Sequence, residues 1–273
     1  MDKTIALFGA GNVAEALISG ITRSRIIPPE RLLVTNRKNK ARLNYIEDKY
    51  GVRCTHEAEQ MLVEADILIL AMKPYDASEY LEWLKHHVTP GHLIISVIAG
   101  LSIEQIESSL GGEVKVIRSM PNTSALVGES ATGMARGTHV SDDDLLLAET
   151  LLETLGLVKI VKEKDLHMIT AIAGSGPAFF YYMIEAMEEV AVESGVDPAA
   201  ATELLTQTLI GAGKMLKSSG ETPEQLRINI TSPAGVTDVG LKQLESDDFK
   251  KILRTGIRRA RDRSIEISEE LDE

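Results

Sequence analysis

A short apolar run near the start of the chain ends in Gly9-Ala10-Gly11-Asn12-Val13-Ala14, and an amphipathic stretch follows. No other feature constrains the fold as much. A strand over Thr4 to Phe8, a glycine turn and a helix over Ala14 to Ser24 make the opening half of a βαβ unit. The G-x-G-x-x-A spacing inside it is the fingerprint of a dinucleotide-binding turn. Gly9 permits the tight turn, Gly11 lets the backbone approach a pyrophosphate, and Ala14 keeps the helix close to the sheet. Asn12 and Val13, which lead from the turn into the helix, sit where free N–H groups and the positive end of the helix dipole meet phosphate. Six residues of this kind also occur as purely structural turns. The strand–turn–helix context is what favours cofactor binding.

The same alternation continues. Strands are expected at Leu32 to Thr35, Val52 to Thr55, Asp66 to Ala71, Leu93 to Ile98 and Val114 to Arg118, with helices at Lys40 to Tyr50, Ala58 to Glu64, Tyr75 to His87 and Ile103 to Leu110. Runs such as Ile67 to Leu70 are apolar without interruption, as strands buried on both faces must be. Alternating strands and helices predict an α/β domain, a Rossmann-type doubly wound parallel sheet over residues 1–162. Beyond that point apolar residues recur at helical spacing: Met168, Ile169 and Ile172, then Phe179, Met183, Met187 and Val190. Residues 163–273 read as an all-helical C-terminal domain for substrate and dimerisation. Its helices are too apolar for a lone domain of this size, and Gly211-Ala212-Gly213 permits close packing against another helix. A dimer would bury that surface. The acidic tail, Glu266 to Glu273, reads as frayed.

The second strand bears on which dinucleotide is held. An enzyme that binds the unphosphorylated cofactor usually carries an acid at its end, for the ribose hydroxyls. Here the segment is Thr35-Asn36-Arg37-Lys38-Asn39-Lys40-Ala41-Arg42, with no acid and four basic residues. Asn36 and Arg37 suit a 2′-phosphate, so NADPH is favoured, with NADH possible as an alternative. The bland reading of the same run is a solvated basic helix start. Strand C-termini line the crevice of such sheets, which places Ala71, Lys73 and Pro74 beside the nicotinamide ribose. For Lys73 the backbone position carries this reading more than the amine does.

Net charge is −12. A surface so acidic argues against nucleic acid as a partner, while leaving room for a local basic pocket for one phosphate. The single cysteine, Cys54, allows neither an intrachain disulfide nor a multi-cysteine zinc site. No secretory leader and no membrane-spanning run is read, and no metal is expected. The location implied is cytoplasmic.

Three further segments remain. The first is Met120-Pro121-Asn122-Thr123, extended through Ala125 to Glu129. The second is Gly174-Ser175-Gly176-Pro177-Ala178. The third is Ile230-Thr231-Ser232-Pro233-Ala234-Gly235-Val236-Thr237, continuing to Glu245. Together with the N-terminal turn, and in this order, they resemble the pyrroline-5-carboxylate reductase family along essentially the whole chain. Two positions depart from that family: Val13 stands where methionine is usual, and Ala234 where glycine is usual. The resemblance implies hydride transfer from NAD(P)H to the C=N bond of 1-pyrroline-5-carboxylate, giving L-proline, the final step of proline biosynthesis. It also implies a homodimer or ring of dimers whose active site is completed by a partner's helical domain.

Ser232-Pro233 reads as a helix start, with serine as N-cap and proline at the first position. Free N–H groups near Gly235, Val236 and Thr237 would then hold the substrate carboxylate. The Thr237 hydroxyl would accept a hydrogen bond from the protonated imine nitrogen, which makes Thr237 the expected catalytic residue. An ordinary capped helix is the alternative. Ser175 either touches substrate or nicotinamide or merely belongs to a close-packed helix start, and Asn122 either touches cofactor or structures its loop. Two rival functions compete with this one. A hydroxyacid dehydrogenase of the 6-phosphogluconate type needs a helix lysine, for which Lys214 is only a loose candidate. A cofactor-binding sensor would be expected to lack the third motif.

Overall fold

The computed structural model describes residues 1–271. The sheet begins with β1 (Ile5–Phe8), β2 (Leu32–Thr35), β3 (Arg53–Cys54), β4 (Ile67–Leu70), β5 (Leu93–Ser96) and β6 (Lys115–Met120). The connecting helices are α1 (Asn12–Ser24), α2 (Lys40–Tyr50), α3 (Ala58–Glu64), α4 (Pro74–Lys85) and α5 (Ile103–Leu110). These agree with the expected alternation to within a few residues. Successive side chains of a strand point to opposite faces, and the core divides accordingly. Ile5 and Leu7 pack with Leu17, Ile21, Val34 and Ile69 on one face, covered by α1 and α2. Ala6 and Phe8 pack with Leu68, Leu70, Leu81 and Ile106 on the other, covered by α3, α4 and α5.

Two strands and a helix go beyond the expectation: β7 (Ser130–Arg136), α6 (Asp142–Leu152) and β8 (Gly156–Ile160). The strand order is β3-β2-β1-β4-β5-β6-β7-β8. All pairings are parallel except β6 with β7, so the sheet is mixed at that side rather than wholly parallel. The sequence of β7, Ser-Ala-Thr-Gly-Met-Ala-Arg, is small and polar where β-formers are expected, which is why it reads as loop. The order reverses between β1 and β4, whose C-terminal ends therefore border a crevice.

A short helix α7 (Leu166–Ile169) runs into one π-helical turn at Thr170–Gly174, and α8 (Gly176–Glu193) follows. Then come α9 (Pro198–Ser218), α10 (Pro223–Asn229), α11 (Val236–Ser246) and α12 (Phe249–Glu270), with no strand after β8 among the described residues. By internal contacts the chain divides into two compact units, Met1–Ser175 joined by the segment from Arg259 onward, and Gly176–Arg258. The first unit thus extends past 162 through α7, whose Leu166 is buried under the sheet.

The end of the chain differs from the expected frayed tail. α12 continues to Glu270, Ser268 Oγ donates to the Gly100 carbonyl at 2.6 Å, and Leu271 packs on the core. Gly100 has φ +84°, and a Cβ there would lie 2.6 Å from Ile267 Cγ2, so the helix end docks directly on glycine backbone. The tail's last two positions, 272 and 273, lie outside the described residues.

In the unit Gly176–Arg258 only Gly176 and Ala201 are buried. Helices α9 and α10 start from conventional caps, the Asp197 and Thr222 side chains accepting from Ala200 and Gln225 N–H, each with proline at the first helical position. Their apolar residues still face outward, Leu204 and Val190 being more than half exposed.

Candidate functional site

The turn after β1 is built as its glycines require. Gly9 has φ +120°, and a Cβ would lie 2.4 Å from the Ala71 carbonyl oxygen. That carbonyl follows β4, so the glycine lets two adjacent strand ends approach one another. Gly11 caps α1 without any side-chain hydrogen bond, and a Cβ there would meet nothing within 4 Å. The first N–H groups of α1, from Asn12 and Val13, have no intrahelical acceptor. A crevice of about 740 Å³ lies over this turn. It is lined by Gly9, Gly11, Asn36, Arg37, Ala71 and Lys73 among others. Pro74 opens α4 beside it, and Lys73 before it is extended, as a residue preceding proline prefers. Of the residues expected from the sequence to meet a dinucleotide, Gly9, Gly11, Asn36, Arg37, Ala71 and Lys73 line this crevice, while Asn12, Val13 and Pro74 only adjoin lining residues in sequence and Asn122 lies apart. An open glycine at the helix start, a helix N-terminus and a basic β2 end are the features that a pyrophosphate and a 2′-phosphate need.

The four basic residues after β2 divide by role. Arg42 donates through Nε to the Ala10 carbonyl at 2.8 Å and pairs with Glu15. It braces the glycine turn from behind. Arg37 is claimed by two acids of α4: Nη1 lies 3.2 Å from Asp76 Oδ1, and Nη2 reaches both oxygens of Glu79 at 2.8 and 2.9 Å. Lys38 and Lys40 make no ion pair among the described residues. Asn36 closes its loop with Asn39, accepting from the Asn39 N–H at 2.8 Å and donating to its carbonyl at 2.9 Å. The Asn39 side chain in turn caps α2. Beneath the crevice, Phe8, Tyr80 and Trp83 form an aromatic floor with ring centroids 5.0–6.4 Å apart.

Glu15, Asp76 and Glu79 are functional neighbours that the sequence reading missed. Nothing in the local pattern marks them, since their partners lie 27 to 42 positions away. Burial, then the Glu47 carboxylate, pushes the Cys54 thiol up to about 11, which disfavours the thiolate.

Asn122 lies apart from the crevice, at the end of β6. Its Oδ1 accepts from Ser124 N–H at 3.1 Å, and its Nδ2 donates to the Ala173 carbonyl at 3.0 Å. It thereby ties the loop after β6 to the π-helical turn that leads into Ser175. Ser175 N–H donates to the Thr170 carbonyl at 2.8 Å, the wide spacing of that turn. Asn122 and Ser175 therefore belong to one local structure.

The third motif folds differently from its reading. Ser232 is not an N-cap, because α11 begins at Val236 with Gly235 as its cap. Ser232 to Gly235 form a preceding turn in which Gly235 N–H donates to the Ser232 carbonyl at 3.0 Å. The Gly235 N–H is therefore spent, and the free ones are those of Val236 and Thr237, capped by no side chain. The residue in the left-handed conformation is Ala234, at φ +56°, not Gly235. Gly235 is needed for another reason: a Cβ there would lie 2.4 Å from Ser232 Oγ. Asp238, also missed, accepts from Ala234 N–H at 2.9 Å and pairs with Lys242 at 2.9 Å, which hold its carboxyl below the usual range. The Thr237 hydroxyl is exposed and has no partner among the described residues.

Comparison with known proteins bears on both units. The family model described as pyrroline-5-carboxylate reductase dimerisation matches residues 163–267. One described as NADP oxidoreductase coenzyme F420-dependent matches residues 4–100. Pyrroline-5-carboxylate reductase 1 of Bacillus subtilis (strain 168) is 45% identical over 99% of this chain and 91% of its own length. Pyrroline-5-carboxylate reductase 2 of the same strain is 44% identical over 98% and 96%. Among solved structures, a pyrroline-5-carboxylate reductase from Coxiella burnetii superposes with a TM-score of 0.90 at 33% identity, covering 98% of this chain and 99% of that one. Plasmodium falciparum pyrroline carboxylate reductase with NADP bound gives 0.89 at 30% identity, covering 98% of each.

Proposed function

The chain belongs to the pyrroline-5-carboxylate reductase family, and from that premise we propose how its residues divide the work of reducing 1-pyrroline-5-carboxylate to L-proline with NAD(P)H. The activity rests on the full-length relatives. The observation that supports the division is the pairing of one open glycine crevice with one free helix start.

Residues 1–162 serve as the cofactor domain. Gly9, Gly11, Asn12 and Val13 hold the pyrophosphate, Asn36 and Arg37 the 2′-phosphate of NADPH, and Ala71, Lys73 and Pro74 the nicotinamide side. Asn122 acts there through the loop it ties down. NAD(P)H, when bound, supplies the hydride. Residues 163–273 serve substrate binding and dimerisation. The N–H groups of Val236 and Thr237 donate to the substrate carboxylate at the start of α11, with Ser232 and Gly235 shaping the turn and Ser175 contributing from the other motif. The Thr237 hydroxyl accepts the hydrogen bond of the protonated imine nitrogen and fixes which face of the C=N carbon is presented. An iminium is already electrophilic, so orientation and retention of the charged form supply most of what the protein must add.

The assembly is a homodimer or a ring of dimers, in which a partner's helical unit completes the site. A nearly coreless helical unit and the dimerisation description of the matched family support this. No helix among the described residues is long and apolar enough to cross a membrane. We place the enzyme in the cytoplasm, with no nucleic-acid partner.

The test is to mix the protein with NADPH and 1-pyrroline-5-carboxylate, follow loss of the reduced cofactor, and identify proline. Thr237→Ala is expected to lower kcat by about 10²-fold while leaving the Kd for NADP⁺ unchanged. Unchanged turnover would remove Thr237 from the site.

A further inference from the structure

We infer that Asp76 and Glu79 are specificity-determining residues that limit how strongly this chain prefers the phosphorylated cofactor, because they compete with the 2′-phosphate for Arg37. The inference rests on the reading that the 2′-phosphate sits at Asn36 and Arg37. Both acids are on α4 and line the same crevice as Arg37. Glu79 occupies one Arg37 nitrogen with both carboxylate oxygens, and Asp76 occupies the other. A guanidinium binds phosphate best through the same paired donors. A 2′-phosphate must therefore displace carboxylates from Arg37 and remain beside them. It carries between one and two negative charges near neutral pH. Asp76 and Glu79 thus offset part of the positive charge that Arg37 and Lys38 bring to this end of the crevice. A ribose hydroxyl meets neither the competition nor the repulsion, so the acids weaken binding of the phosphorylated cofactor alone. The resulting pocket discriminates weakly and leaves both cofactors usable.

Arg37 is 59% exposed and Glu79 72%, so the pair contributes little to folding, and Glu79→Gln is expected to fold normally. The experiment is calorimetric titration of the full chain with NADP⁺ and NAD⁺, without turnover. Glu79→Gln is expected to tighten NADP⁺ about fivefold and Asp76→Asn/Glu79→Gln about tenfold, with NAD⁺ changing less than about twofold. The gain should shrink in high salt, since the charges are at the surface. If Arg37→Ala weakens NADP⁺ while Glu79→Gln leaves it unchanged or weaker, the acids merely orient Arg37 and the inference is overturned with the cofactor reading intact. If Arg37→Ala leaves NADP⁺ affinity untouched, the 2′-phosphate lies elsewhere and both readings fall.

Discussion

Ala234 carries the backbone into the left-handed region at φ +56°, at the one signature position where this chain departs from the usual glycine of its family. An L-residue there meets a clash between Cβ and the following carbonyl that costs roughly 1–2 kcal/mol, whereas glycine meets none. Glycine also loses about 0.4–1 kcal/mol by making the unfolded chain more flexible. The first effect is the larger. Ala234→Gly is therefore expected to stabilise the protein by roughly 0.5–1 kcal/mol, read as a higher denaturant midpoint at constant slope. A lower midpoint would mean that the hydrogen bond from Ala234 N–H to Asp238 already holds the turn so firmly that the strain is absent. The same residues show why the sequence misled. Ser232-Pro233 looks like Asp197-Pro198 and Thr222-Pro223, which do cap helices. The reversal at Ala234 delays the third helix to Val236, and no composition rule announces a left-handed alanine.

At the scale of elements, the glycine turn is held by a charge network between α1 and α2. Glu15 accepts from Arg42, from Lys49 at 2.9 Å and from the Tyr50 hydroxyl at 2.9 Å, while Arg42 grips the Ala10 carbonyl. Burial alone would raise the Glu15 carboxyl, but the hydrogen bonds from Lys49, Arg42 and Tyr50 outweigh it and bring it down to about 2. A depressed folded-state value means stability that is present above about 4.5 and lost as pH falls toward about 2. Glu15→Gln should cost roughly 2 kcal/mol near neutral pH, and that deficit should narrow as pH drops through this window. Urea unfolding of both proteins at several pH values checks it, and a deficit independent of pH would assign the effect to packing. The elements around this turn were legible, because β1 to β6 and α1 to α5 follow from apolar periodicity and glycine spacing. Strands β7 and β8 were not: β7 is small and polar and is held by its pairing with β6, and β8 extends the sheet by pairing with β7. The partners of Arg37 were equally hidden: only the fold brings α4 alongside the end of β2.

At the scale of the molecule, the two units differ in what holds them. The sheet unit buries a layer of aliphatic side chains on each face. The helical unit exposes what should be its core, with Leu204 66% and Val190 61% exposed, and with open space around Gly211 and Gly213 on α9. Burying a leucine side chain contributes roughly 1.5–3 kcal/mol, so a face of such residues left in water is a large unspent driving force. The dimerisation model that matches residues 163–267 points to an oligomer, and the proposed second copy would cover this face. Leu204→Glu would place a charge in that interface, where an unpaired buried carboxylate costs several kcal/mol. The expected result is a monomer by light scattering, with proline formation reduced at least tenfold and the Kd for NADP⁺ close to that of the parent protein, because the cofactor crevice belongs to the sheet unit alone. Retention of the parent's mass and activity would show that α9 faces solvent in the assembly and would move the interface to another helix.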